Sequence, residues 1–295
     1  MPDPSRFDPD RYPREFPRQR QEPPGLTDAM VPHPDHGEDT YQGSGRLTGL
    51  RALITGGDSG IGRAVAIAYA REGADVVISY LPEEKVDANA TVALIAQAGR
   101  RGATLGVDLT ERRFCLDLVE FAVAELGGLD ILVNNAGYQM ARTQGIEDLP
   151  EEQLDRVMRT NLYSVFWLTQ AVVPHLSAGS CIINNSSIQA YDPSVSLLDY
   201  AATKAAINNF TVNLAQELGP SGIRVNAVAP GPIWTPLQPA TQPEEAVEQF
   251  GQNTPLGRAG QPAEVAPAFV FLAAPAEASY VSGTVLGVTG GRPVF

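Results

Sequence analysis

From residue 47 onward the chain alternates between two hydrophobic patterns. Short, almost wholly apolar runs at 51–55, 75–80, 103–107, 130–134, from Cys181, at 224–228 and at 285–288 read as buried strands. Between them, apolar residues recur at helical spacing over 61–72, 83–101 reads as a polar helix, and 111–126, 151–176, 200–218 and 261–274 read as further helices. Pro150, Glu151 and Glu152 open the fourth of these, as suits a helix N-terminus. Pro267 should kink the last. Strands without a polar face, separated by helices, predict an α/β fold: a parallel, doubly wound sheet covered on both sides. No internal repeat appears, so residues 47–295 read as one domain. The stretch 230–258, rich in Pro, Gln and Gly, reads as a long irregular segment with some helix.

Residues 1–46 depart from this pattern. They are rich in Pro, Arg, Asp and Gln and poor in aliphatics, so alone they would not bury enough to become ordered. The first twenty or so read as mobile. Pro23-Pro24, Met30-Val31-Pro32 and Tyr41 allow the remainder to dock as an extended strap on the domain or on a neighbouring subunit, with plain disorder as the alternative.

Composition narrows the function. A net charge of −13 and a pI of about 4.7 argue against nucleic acid or an anionic membrane as partner. Cys115, Cys181 and the three histidines show no metal-ligand spacing, and no disulfide framework is expected. No apolar run is long enough to span a bilayer and the N-terminus lacks a signal-peptide core, so the expected compartment is the cytoplasm.

Two stretches carry chemistry. Thr55-Gly56-Gly57-Asp58-Ser59-Gly60-Ile61-Gly62 joins the first strand to the first helix. Glycines there permit a tight turn and close backbone approach to a pyrophosphate, which a helix N-terminus attracts. Further on, Tyr200 and Lys204 stand four apart on one helical face, and Ser187 ends a strand 13 residues earlier. A hydroxyl, a phenol and an ammonium are what carbonyl reduction by hydride requires. The oxygen needs a hydrogen-bond donor as charge builds, and then a proton. Bringing a phenol from ~10 to ~7 asks its neighbours for roughly 4 kcal/mol, within reach of a close cation. Taken alone, Tyr-x-x-x-Lys is a common helix pattern and Ser187 a simple cap.

The glycine spacing T-G-x-x-x-G-x-G resembles that of the short-chain dehydrogenase/reductase family. So do Asn134-Asn135-Ala136-Gly137 after the fourth strand, Asn161 in the long helix, Ser187 with Tyr200 and Lys204, and Pro230-Gly231-Pro232-Ile233-Trp234-Thr235 after the sixth strand. Within that family the chain is similar to oxidoreductases with an N-terminal Pro-rich extension, the glucose and ribitol dehydrogenase homologues among them. The resemblance implies a Rossmann-type fold, NAD or NADP as cofactor, and a small carbonyl or alcohol as substrate. Tyr200 would be general acid/base, with Lys204 lowering its pKa and holding the nicotinamide ribose. Ser187 would polarise the carbonyl, and Asn161 would hold a water. Gly56, Asp58, Ser59, Gly60, Ile61 and Gly62 would receive the pyrophosphate. Asp108 and Leu109 would meet the adenine, although Asp108 reads equally as a helix cap. Asn134, Ala136 and Gly137 would line the adenosine side; Pro230, Gly231, Ile233 and Thr235 would hold the nicotinamide.

The carboxylate that selects NAD in such folds is missing at Tyr80, and no Arg or Lys replaces it at Ser59, so either cofactor is expected with weak preference. Tyr138, Gln139, Gln189, Tyr191 and the 232–258 segment, with Trp234 at the entrance, are expected to wall the substrate, that segment acting as a lid or as a static loop. The family also implies a homotetramer. A catalytically idle dinucleotide-binding sensor or scaffold is the alternative, disfavoured by the intact Ser187, Tyr200 and Lys204. Sugar-nucleotide epimerase chemistry would need another glycine spacing and a larger C-terminal domain.

Overall fold

The computed structural model describes residues 10–142 and 144–295. Seven parallel strands form one sheet in the order β3-β2-β1-β4-β5-β6-β7. They are β1 (Arg51–Thr55), β2 (Asp75–Tyr80), β3 (Gly102–Gly106), β4 (Ile131–Asn134), β5 (Cys181–Asn185), β6 (Arg224–Pro230) and β7 (Val285–Val288). The connecting helices are α1 (Gly60–Arg71), α2 (Lys85–Gln97), α3 (Arg112–Leu126), α4 (Glu151–Met158), α5 (Ser164–Val172) and α6 (Leu198–Leu218). Two short helices, α7 (Leu237–Thr241) and α8 (Glu244–Glu248), precede α9 (Pro262–Ala273) and α10 (Pro275–Ala278).

The strand centres are mostly apolar because alternate residues enter different cores. Ala52 and Ile54, Val76 and Ile78, and Ile131 and Val133 pack with α1 and α9, where Tyr69 and Phe269 are fully buried. Leu53, Val77 and Leu132 point the other way, among Leu118, Leu168 and Leu214 of α3, α5 and α6. With both faces covered, a polar side chain at either register position needs a buried partner, as Asn226 finds in Val281 O at 2.8 Å. Cys181 is a buried member of the first core, and burial pushes its thiol up to about 11.

The helix read over 151–176 is not continuous α-helix. A π turn over Arg159–Tyr163 separates α4 from α5, and a 3-10 turn ends the run at His175. The extra residue of a π turn has no signature in hydrophobic periodicity; such turns occur often at functional sites.

Residues 10–46 lie along the domain. Phe16, within the stretch expected to be mobile, is 3% exposed and stacks on Trp234 at 3.8 Å between ring centroids. Met30, Val247 and Ala259 complete this third core. Farther along, Glu72 is buried and would by burial alone be raised. Arg46 and Tyr41, at 2.6 and 2.7 Å, hold it instead at about 2. Residues 1–9 lie outside the described residues.

Candidate active site

The C-terminal ends of the strands surround a cavity of about 710 Å³. This is the crevice where open α/β sheets bind ligands, because the strand order reverses there; here the reversal lies between β1 and β4.

One end is built by the turn after β1. Gly56 and Gly60 have φ of +60° and +50°, and a Cβ on them would lie 3.1 Å from Ala136 Cα and 3.0 Å from Thr235 Cγ2. A Cβ on Gly62 would run into the Gly56 carbonyl, so Gly62 serves the close packing of α1 and does not reach the cavity. Ser59 is extended and does not cap α1 with its side chain, which leaves the first N–H groups of the helix without that partner. Asp58, Ser59, Gly60 and Ile61 line the cavity. A backbone that close, at an uncapped helix N-terminus, fits a dinucleotide diphosphate.

The next wall comes from β2 and β3. Tyr80 lines it with its ring against Gly106, where a Cβ would sit 3.2 Å from Tyr80 Cζ. Asp108 and Leu109 line it as well. Asp108 is both cap and wall: Oδ1 accepts from Thr110 N at 3.0 Å, and Oδ2 lies 3.9 Å from Arg156.

Ala136 and Gly137 line the wall after β4, but Asn134 does not. The Asn134 amide donates to Asn184 Oδ1 at 2.9 Å, and Asn184 in turn reaches Thr211 on α6, so this asparagine belongs to a buried ladder beneath the site. Asn135 takes the cavity position instead. Its amide ties this turn to the β1 turn through the carbonyls of Thr55 and Gly56 at 2.9 and 3.0 Å. Thr55 Oγ1 accepts from the N–H groups of Asn135 and Ala136. Thr55 and Asn135 thus fix the two turns against each other, a role with no sequence signal beyond their place at strand ends.

Ser187, Tyr200 and Lys204 meet on the opposite wall. Ser187 caps a 3-10 turn, its Oγ accepting from Gln189 N at 3.1 Å, which leaves its one O–H free to donate. Lys204 donates to Asn185 O at 2.7 Å, and its Nζ lies 5.4 Å from the Tyr200 ring centroid. Burial raises the Tyr200 phenol to about 12, with a hydrogen bond from Ser187 pulling the other way. Burial lowers Lys204 to about 8. The phenol therefore does not sit near 7, as the sequence led us to expect; in the protein alone, desolvation outweighs the neighbours.

Asn161 is fully buried and does not touch the cavity. Its amide donates to Tyr138 O at 2.8 Å and Thr203 Oγ1 at 3.2 Å, and its Oδ1 accepts from Tyr138 N at 2.7 Å. Sitting on the π turn, it clamps the loop after β4 to the helix that carries Tyr200 and Lys204.

Pro230, Gly231, Ile233 and Thr235 line the cavity after β6, and so do Tyr138 and Gln139. Trp234 does not stand at the entrance. The chain is extended here, so Ile233 and Thr235 face the cavity and Trp234 faces away, where its indole N–H donates to Pro32 O at 2.8 Å. Gln189 and Tyr191 also lie off the wall; the Gln189 Oε1 accepts from Ser194 N at 2.6 Å and so holds its own loop. Residues not foreseen at the wall include Glu84, which a turn folds back over the end of β2, and Pro23 and Pro24 of the extension.

The chain is similar to several known proteins. A family profile described as enoyl-(acyl carrier protein) reductase matches residues 56–292. The chain is 55% identical over 283 residues to the oxidoreductase YhxD of Bacillus subtilis, covering 95% of this chain and 94% of that one. It is 45% identical over 286 residues to the glucose and ribitol dehydrogenase of Daucus carota, covering 95% and 98%. Among solved structures, a Burkholderia cenocepacia short-chain dehydrogenase in complex with NADP superposes with a TM-score of 0.78 at 36% identity, over 83% of this chain and 98% of that one. A Brucella melitensis 3-ketoacyl-(acyl-carrier-protein) reductase complexed with NADH gives 0.74 at 33% identity, over 83% and 99%. The glycine turn, the parallel sheet and these likenesses together place the chain in the short-chain dehydrogenase/reductase family, as an NAD(P)-dependent oxidoreductase.

Proposed function

We propose that the protein reduces a small aldehyde or ketone, or oxidises the matching alcohol or polyol, with Tyr200 as the proton donor and acceptor. The observation that carries this is the meeting of Ser187, Tyr200 and Lys204 on one cavity wall. A nicotinamide cofactor, when bound, supplies or accepts the hydride. In reduction the substrate carbon gains that hydride and its oxygen gains the Tyr200 proton. The Ser187 hydroxyl donates to the same oxygen and stabilises its developing charge. Lys204 spends one N–H on Asn185 O, which fixes its position and leaves two for ribose hydroxyls. Its positive charge favours the phenolate left behind. Asn161 is a positioning residue that keeps Tyr138 and the catalytic helix in register.

Tyr138, Gln139 and Gln238 mix aromatic and amide groups along the wall, which suits a small polar carbonyl or a polyol. The name of the Daucus carota relative points the same way. Residues 232–258 act as a lid. The chain works as a homotetramer, joined through the outer faces of α4 to α6, where Tyr163 and Phe166 are each 43% exposed, and through the last strand. The test is to mix the purified protein with NADH or NADPH and a panel of aldehydes, ketones and sugars, following loss of the reduced nicotinamide absorbance. Turnover of at least one small carbonyl is expected; binding of cofactor without turnover of any would count against the reading.

A further inference from the structure

The position that selects the cofactor in this fold, the end of β2, carries no carboxylate in sequence, because Tyr80 stands there. The structure brings one back. After Leu81 the chain makes a 3-10 turn over Pro82–Glu84, and Glu84 Oε2 accepts from Leu81 N at 3.2 Å. Glu84 is thereby returned to the strand end and lines the cavity beside Ser79, Tyr80 and Leu81. Across from it, in the glycine turn, Asp58 lines the same end of the cavity. Asp58 is 1% exposed and its Oδ2 has no hydrogen-bond partner among the described residues. A buried carboxylate oxygen left unpaired is costly and marks a place where a donor is wanted. Glu84 lies near enough to Asp58 to feel its charge, and Asp87 acts on both, its Oδ2 already taken by Thr27 N at 2.8 Å.

No cation lines this end of the cavity. Arg63, the one arginine on the first turns of α1, pairs with Glu38 of the extension at 3.4 Å and acts on Asp58 only from outside the cavity wall. Arg156, which does line the cavity, lies 3.9 Å from Asp108 and over the Tyr138 ring at 5.0 Å. Lys204 is held at the other end by Asn185.

We infer that Asp58 and Glu84 together form the ribose-2′ subsite of the cavity, accepting a hydrogen bond from a 2′-hydroxyl and repelling a 2′-phosphate, so that the enzyme favours NAD over NADP. The inference rests on the dinucleotide reading of the groove and goes beyond it, since the sequence offered no selector of either kind. A ribose hydroxyl gives the unpaired Asp58 oxygen its donor. A 2′-phosphate brings about two negative charges beside Asp58 and Glu84, carboxyls whose own ionisation burial already disfavours.

The test is to titrate the full-length protein with NADH and with NADPH, reading nicotinamide fluorescence, in the wild type, Glu84→Gln and Asp58→Asn/Glu84→Gln. NADH is expected to bind at least tenfold more tightly to the wild type. Glu84→Gln should narrow that ratio, and the double variant should bring it to within about threefold, chiefly by gaining affinity for NADPH. The single variant keeps an acceptor for Leu81 N, so it decides the matter should the double variant fail to fold. Equal wild-type affinities, or a ratio unchanged in Glu84→Gln, would overturn the subsite while leaving the dinucleotide groove intact. Failure of the wild type to bind either cofactor would remove both readings together.

Discussion

Burial, more than charge, sets the protonation of the reacting groups. Tyr200 at about 12 keeps its proton at neutral pH, the form that carbonyl reduction uses. Alcohol oxidation needs the phenolate, which the Lys204 charge favours, so its rate should climb from pH 7 until Lys204 begins to lose that charge near 8. Reduction should hold to near pH 8 and then decline as Lys204, at about 8, loses its charge. Rates measured in both directions from pH 7 to 10 check this, and an oxidation rate flat from pH 7 to 8 would speak against it. Glu84 gives a stability test of opposite character. Burial first, then the Asp58 charge, raise it to about 8. The folded state therefore holds a proton that the unfolded chain has lost, and stability falls as pH rises from the ordinary glutamate value through about 8. Glu84→Gln removes that proton exchange. It should thus stabilise the protein at pH 9, by an amount on the order of a few kcal/mol, and leave the unfolding midpoint nearly unchanged at pH 4. Thermal melts at the two pH values distinguish this from a uniform effect.

Among the larger elements, the extension and the segment after β6 form one unit. Phe16 stacks on Trp234, Phe16 N donates to Glu248 O at 3.3 Å, and Gln21 N donates to Pro239 O at 3.0 Å. The segment proposed as a lid is thereby fastened by residues more than two hundred positions away. Phe16→Ala removes a buried ring and should cost about 3 kcal/mol. It should also make the peptide bonds of residues 236–250 exchange hydrogen faster, whereas a loop independent of the extension would show no change there. Sequence reading reached the strands and most helix limits because a sheet covered on both faces favours mostly apolar runs. It reached the glycine turn, Ser187, Tyr200 and Lys204 because their spacing is local. Trp234 escaped it, although the alternation of an extended chain sets Trp234 opposite Ile233 and Thr235. Glu84 and the packing of Phe16 escaped it for another reason: a turn and a long-range aromatic contact bring them into place, and neither leaves a periodic trace. Asn134 and Asn135 are adjacent asparagines, and only the pleat decides which faces the cavity.

For the molecule as a whole, the exposed aromatics of the α4 to α6 face bear on assembly. Phe166, 43% exposed, packs against Phe210 at 4.5 Å, next to Tyr163 and Trp167. Burying such a face between copies would stabilise the proposed tetramer. Sedimentation at micromolar concentration should give a single tetrameric species, and Phe166→Asp should split it into smaller ones; a monomeric wild type would remove the proposed assembly. The proposed chemistry nonetheless rests on one group, the Tyr200 phenol, placed by α6, steadied through Thr203 and Asn161, and set beside Ser187. The most direct test is Tyr200→Phe, comparing kcat for carbonyl reduction with the affinity for NADH. If Tyr200 is the proton donor, kcat falls by roughly 10²–10⁴-fold while NADH binds nearly as tightly as to the wild type. Wild-type turnover in the Phe variant would contradict it, since the proton would then come from elsewhere.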